Sequence, residues 1–215
     1  MKIDIIVDTI CPWCYVGKKR FDKALAMRPQ DNLKVGWRAF QLNPNMPADG
    51  MDRRRYVAEK FGGLDHSREV HDGILRAVQE ENIYIDFNGI ERTPNTLNSH
   101  RLVRFAAERN LQTPVVSAIF DGYFQAGLDI GDTGVLCDIA ASAGMERREV
   151  ETYLSSDRDV DTVLAEDELA RRLGVNGVPC FIVNRRYAVS GAQSPEVLIQ
   201  VFDLANQDDA TVASP

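Results

Sequence analysis

The 215-residue chain is 44% hydrophobic and 27% charged, the composition of a globular protein long enough to bury a substantial core. A formal net charge of −7 and a pI near 5.0 argue against a nucleic-acid partner, and no apolar run reaches the length of a membrane span. Met1-Lys2 leads straight into Ile3-Asp4-Ile5-Ile6-Val7-Asp8, too short and too acidic for a secretory leader, so a cytoplasmic location is expected.

Residues 3–8 read as a strand and 12–27 as a helix with Val16, Phe21, Ala24 and Leu25 on its apolar positions. Pro29 ends it, and 33–41 form a second strand with Leu33, Val35, Trp37 and Ala39 on one face. Strand, helix, strand is the order of a βαβ unit. From Asn43 the character changes. A loop rich in Pro, Asn and Gly precedes helical periodicity at 51–61, 66–81, 96–109, 113–127, 132–143 and 146–154, with Asp132 as the strongest N-cap signal. Residues 158–173 form a further amphipathic helix bearing Val160, Val163, Leu164, Leu169 and Leu173. Strand character returns at 178–184 and at Tyr187–Ser190, before a last helix over 195–205 and a frayed tail over 206–215. The strands sit at the two ends of the chain. The reading is therefore an α/β fold whose discontinuous domain (1–43 and 156–205) carries an inserted helical domain (44–155).

Cys11-Pro12-Trp13-Cys14 follows the first strand directly. At a helix start, unpaired N–H groups and the positive dipole end favour a Cys11 thiolate, and Pro12 suits the first turn. Cys14, one turn on, lies on the same face and can close a short disulfide. Such a pair does thiol–disulfide exchange: Cys11 attacks, Cys14 resolves, and Pro12-Trp13 between them tune the redox poise. Half of a zinc site and inert packing are the alternatives. Zinc usually requires a second close pair, whereas Cys137 and Cys180 are single and far apart, so no metal is expected.

Four segments carry a resemblance: Asp8-Thr9-Ile10-Cys11-Pro12-Trp13-Cys14-Tyr15-Val16-Gly17, Phe40-Gln41-Leu42-Asn43-Pro44, Pro94-Asn95-Thr96-Leu97-Asn98-Ser99-His100-Arg101 and Gly174-Val175-Asn176-Gly177-Val178-Pro179-Cys180-Phe181. Together with Gly191-Ala192-Gln193-Ser194 they resemble the DsbA-like branch of the thioredoxin superfamily, closest to its FrnE-like group. That group borders the 2-hydroxychromene-2-carboxylate isomerases and kappa-class glutathione transferases. The resemblance implies a thioredoxin fold with a large all-helical insertion and protein disulfide oxidoreductase or isomerase activity. It also implies a cis Val178–Pro179 bond facing the dithiol, with Val178 and Pro179 binding the substrate backbone.

This sequence departs from the family pattern at two places. Ile5 stands where thioredoxin-like proteins often bury a carboxylate, and which of Asp4 and Asp8 lies near the sulfurs is open. Cys180 directly follows Pro179, either as a small core residue or as a third sulfur able to pair with Cys11.

The partners expected are protein or small-molecule disulfides and a reducing or oxidising partner, with no membrane and no nucleic acid. No bound cofactor is expected. Glutathione is a candidate co-substrate through Asn43 or Gln193, although the anchoring positions near Gly191-Ala192-Gln193-Ser194 depart from the Ser/Asp pattern of the glutathione-using relatives. A glutathione-dependent isomerase or transferase is the second enzymatic reading, and a peptide-binding chaperone the non-enzymatic one. His66 and His71 read as surface residues, and His100 as either a cleft wall or helix packing. Cys137 and the Phe120, Tyr123, Phe124 cluster read as core. No dimer stripe is legible.

Overall fold

The computed structural model describes residues 1–62 and 64–212, and side chains other than those of 61, 63–71 and 209–212. Strand β1 (Lys2–Val7) leads through the Cys11 turn into α1 (Pro12–Met27) and then β2 (Lys34–Ala39), which pairs parallel with β1. Late in the chain, β5 (Cys180–Val183) pairs antiparallel with β1, and β6 (Tyr187–Ser190) antiparallel with β5. The four-stranded mixed sheet has the order β2-β1-β5-β6.

Between its halves lie α2 (Arg53–Phe61), α3 (Leu64–Glu80), α4 (Leu97–Ala107), α5 (Gln112–Phe124), α6 (Thr133–Ser142), α7 (Arg147–Leu154) and α8 (Val160–Arg172). The helices fall where the periodicity places them, and Asp132 caps α6 by accepting from Val135 N–H at 2.8 Å. Two paired strands of two residues each, β3 (Met51–Asp52) and β4 (Arg92–Thr93), are too short to leave an alternation in the sequence.

The final helix, α9, spans Pro195–Val212, so residues 206–212 continue it and the expected frayed tail is corrected over that stretch. Polar anchors replace the apolar ones sought in the sequence. Asp208 accepts from Tyr187 Oη and pairs with Arg186 at 2.9 Å, and Asn206 bonds Gln30 at 2.9 Å.

Alternation along the strands divides the core between two faces. Ile3, Ile5, Val7, Phe181 and Val183 pack with Phe21 of α1 and Leu198 and Phe202 of α9. Ile6 and Cys180 point the other way, against Phe40 and Ala170 of α8. The first cluster continues into the insertion through Tyr15, which lies near-parallel to Phe124 (centroids 5.4 Å apart) and 5.5 Å from Phe120. Phe120, Tyr123 and Phe124 are core, as the spacing suggests.

Buried Arg101 of α4 ties the insertion together. Its guanidinium donates to the carbonyls of Tyr153, Leu154, Ser156 and Arg158 and to Asn98 Oδ1, satisfying the backbone where α7 ends. Removing those donors leaves several carbonyls unpaired. Arg101→Ala is expected to lower stability by about 3 kcal/mol, read from the urea unfolding midpoint.

Candidate active site

Cys11 is the N-cap residue of α1, extended at φ −86° and ψ 114°, and Pro12 opens the first turn. A sulfur thus occupies the position that Ser or Asp usually fills, at the positive end of the helix dipole. Val178–Pro179 is cis, and Cys11 Sγ lies 3.7 Å from the Val178 carbonyl oxygen, so the two halves of the chain meet at this sulfur. The approach depends on Gly17. A Cβ there would lie 2.7 Å from Pro179 Cγ, closer than side-chain packing permits.

Cys14 is fully buried one turn behind. Burial pushes its thiol well above the ordinary range, and the neighbouring Cys11 adds to the rise. Asp8 contributes two opposed effects: its charge raises Cys14 further, while a backbone hydrogen bond from Asp8 lowers it. Of the two acids left open by the sequence, Asp8 is the one beside the sulfurs. Asp4 is turned to Arg38 at 2.8 Å and Lys2 at 3.3 Å. The Asp8 carboxylate is wholly buried, with Oδ2 accepting from Leu42 N–H at 2.7 Å. Its Oδ1 lies 3.4 Å from His100 Nε2, which places buried His100 behind the dithiol.

Cys11 is itself buried, 5% exposed, and lines neither of two grooves formed by residues at this end of the sheet. One of about 510 Å³ is lined by Trp13, Asn176, Val178, Ser190 and Ala192, among others. The second, of about 360 Å³, runs between Leu42–Pro47 and the Tyr56–Lys60 side of α2. There Asn43 bonds Tyr56 Oη at 3.1 Å and accepts from Lys60 Nζ at 2.9 Å. Arg20 braces the opposite wall by donating to the Ala192 carbonyl at 2.6 Å and to Glu81 at 2.8 Å. Tyr56, Lys60, Arg20 and the role of Gly17 escape sequence reading. Only Gly17 carries a signal, as the seventh residue of the segment that begins at Cys11.

Cys180 does not join the site. It packs with Ile6, Phe40 and Ala170 on the sheet face opposite α1, the small-core-residue alternative of the two left by the sequence: alternation along β5 turns its side chain away. Burial raises its thiol, and so it does for Cys137 inside α6. Gln193 is exposed, its amide folded back onto the Ser190 carbonyl at 2.8 Å. The side chains of His66 and His71 lie outside the described residues. Among the described residues, no group of three or more His, Cys, Asp or Glu could hold a metal ion, and no helix is long and apolar enough to cross a membrane.

A dithiol at the start of α1, opposite a cis-proline loop on a β2-β1-β5-β6 sheet, defines a thioredoxin-type fold, here interrupted by helices. The match to the DSBA-like thioredoxin domain extends over residues 2–203, and the chain belongs to that family. A probable DsbA oxidoreductase of Streptomyces coelicolor is 32% identical, with a TM-score of 0.87 over 100% of this chain and 92% of that one. Two further structures share the fold over 100% of both chains. A 2-hydroxychromene-2-carboxylate isomerase is 16% identical with a TM-score of 0.75, and the cytosolic disulfide reductase DsbM of Pseudomonas aeruginosa, solved with GSH, is 18% identical with a TM-score of 0.67.

Two outcomes are expected from this geometry. Iodoacetamide at neutral pH should modify Cys11 at least about tenfold faster than Cys14, Cys137 or Cys180, whose buried thiols stay protonated, as peptide mapping would report. Gly17→Ala should push Pro179 away from Cys11, costing about 1–3 kcal/mol in urea unfolding. The same displacement should slow disulfide turnover by up to about 100-fold.

Proposed function

We propose that the protein is a cytoplasmic thiol–disulfide oxidoreductase acting on protein or small-molecule disulfides. The observation that carries this reading is the Cys11 sulfur set 3.7 Å from the Val178 carbonyl, beside the groove that Trp13 and Val178 line, with Cys14 fully buried one turn behind it. Cys11 attacks a substrate disulfide, forming a mixed disulfide and releasing one substrate thiolate. Cys14 then attacks Cys11 Sγ, closing Cys11–Cys14 and releasing the second. The substrate takes up two electrons and the dithiol is oxidised; run backwards, the same steps oxidise a substrate dithiol. Val178 offers its backbone to an extended substrate segment, while Pro179, its carbonyl held by Gly191 N–H at 2.8 Å, fixes the loop, and Pro12-Trp13 set the poise. The groove at Pro12–Trp13 is uncharged on the helix side, while Lys60 and Asn43 offer polar contacts on the other.

Glutathione is the reductant we propose, as a co-substrate that is not stably bound. Asn43 with Lys60 is the contact favoured by position, since both line the groove beside Leu42. DsbM, a disulfide reductase described as cytosolic and solved with GSH, supports both the location and the reductant. A glutathione-dependent isomerase of the 2-hydroxychromene-2-carboxylate type has the fold in its favour but no use for a second, resolving thiol.

Insulin reduction and refolding of scrambled ribonuclease, with glutathione as reductant, test the proposal. Wild type should catalyse at least one, and Cys11→Ser should lose about 10³-fold or more of that rate. Equal rates for wild type and Cys11→Ser would refute it.

A further inference from the structure

Helix α8 covers the sheet face opposite α1 only in part. Between it and the strands runs a trough of about 490 Å³, within the size range of small-molecule sites. Its floor is apolar, made by Ile6 of β1, Ile182 of β5 and Ala170 of α8. Leu169 and, four residues on at the C-cap, Leu173 form one wall and remain 49% and 66% exposed.

The charges around this floor are not equivalent. Asp4 is held by Arg38 at 2.8 Å and Lys2 at 3.3 Å, and Glu166 by Arg104 at 3.2 Å and the Ala39 N–H at 3.2 Å. Arg38 is committed to Asp4 and reaches Glu166 at 3.6 Å. Arg185 is exposed and makes no ion pair and no side-chain hydrogen bond among the described residues. The trough thus sets an uncommitted guanidinium beside apolar side chains.

The local fold does not ask for an arginine there. Residues Val183 to Arg186 form a tight turn closed by Arg186 N–H donating to the Val183 carbonyl at 3.0 Å, with φ 50° at Asn184 and 58° at Arg185. Two successive left-handed residues in a hairpin favour Asn-Gly. Asn184 suits its place and accepts from Lys2 N–H at 2.8 Å. Arg185 stands at the glycine position, at a conformational cost, and lines the trough.

We propose that this trough binds a small amphipathic carboxylate, its apolar chain lying between Leu169, Leu173 and Ile182 and its head group on Arg185. A guanidinium presents parallel N–H donors that match a carboxylate, which fixes the head while the floor takes the chain. The Asp4–Arg38–Glu166 ion pairs bound the trough on the β2 side. An apolar slot fenced in this way suits a run of methylenes better than a protein interface, which covers about 800 Å² on each partner. The site lies on the face turned away from the two thiols, so the inference stands apart from the redox reading.

Titration of the ¹⁵N-labelled full chain with sodium octanoate, followed in amide correlation spectra, tests it. Saturable shifts should centre on Leu169 to Leu173, Ile182 and Arg185, with a dissociation constant below about 1 mM. Arg185→Gly should weaken binding about threefold or more, with an unchanged or raised urea midpoint, since glycine relieves the left-handed strain. Leu173→Gln, at an exposed position, should weaken it about as much. On wild type, 1-octanol and butyrate should each bind about threefold or more weakly than octanoate, the first lacking the charge and the second the chain. The proposal is overturned by an absence of saturable shifts up to about 10 mM, by shifts centred elsewhere, by undiminished affinity in Arg185→Gly, or by octanol binding as tightly as octanoate. Should Arg185→Gly lower the urea midpoint, Arg185→Asn, also at ease at positive φ, is read in its place.

Discussion

The close passage of α1 against Pro179 is the constraint on which the site depends. Helix α1 starts at Cys11 because Pro12 can open a helix but not continue one, and its second turn meets the cis-proline loop at Gly17, where no Cβ fits. Residues more than 160 apart in the chain are thereby held at the same sulfur, with Cys11 Sγ against the Val178 carbonyl. The sheet enforces the same meeting from beneath. β5 pairs with β1 in a register that sets Cys180 opposite Ile6, so the loop before β5 must emerge beside the turn after β1. Neither device alone would fix the sulfur; their agreement leaves it one place to be.

The inserted helices complete that arrangement. Tyr15, immediately after the resolving cysteine, is driven into α5, where Asp121 accepts from its hydroxyl at 2.5 Å and Phe124 lies near-parallel to its ring. The insertion thus shares one apolar cluster with the sheet. It buries Cys14 from behind, and α3 comes near the ring of Trp13: a Cβ on Gly73 would lie 3.8 Å from Trp13 Cζ2. Burial of this kind is costly for the charged form of a thiol, and the raised Cys14 is its direct consequence. The same helices that separate the two thiols chemically also bring His100 to Asp8.

The elements and the dithiol were legible because each rests on local chemistry. Periodicity placed the helices, alternation placed the strands, and Cys-Pro-Trp-Cys after an apolar run placed the helix start. What escaped the sequence depends on pairings without a local signature. β3 and β4 are two residues each and exist only because they meet. Asp8 and Asp4 sit in the same stretch of chain, and only the Arg38 ion pair on one and the Leu42 N–H on the other tell them apart. Cys180 could have gone either way by position. The strand register turns it to the face of Ile6, which removes a third sulfur from the site and leaves the chemistry to two.

A two-thiol site of this kind has an asymmetry built into its depth. Cys11 caps α1 and keeps 5% of its surface exposed, whereas Cys14 is fully buried, and one turn of helix separates the two environments. An oxidoreductase gains from that difference only if the buried thiol can lose its proton when its turn comes. A wall that were wholly apolar would hold Cys14 protonated and stall the mixed disulfide. Two buried polar side chains interrupt the apolar surroundings there, Asp8 just past β1 and His100 of α4, 3.4 Å apart. The burial that distinguishes the thiols therefore comes from the apolar cluster that the inserted helices share with α1 and the sheet.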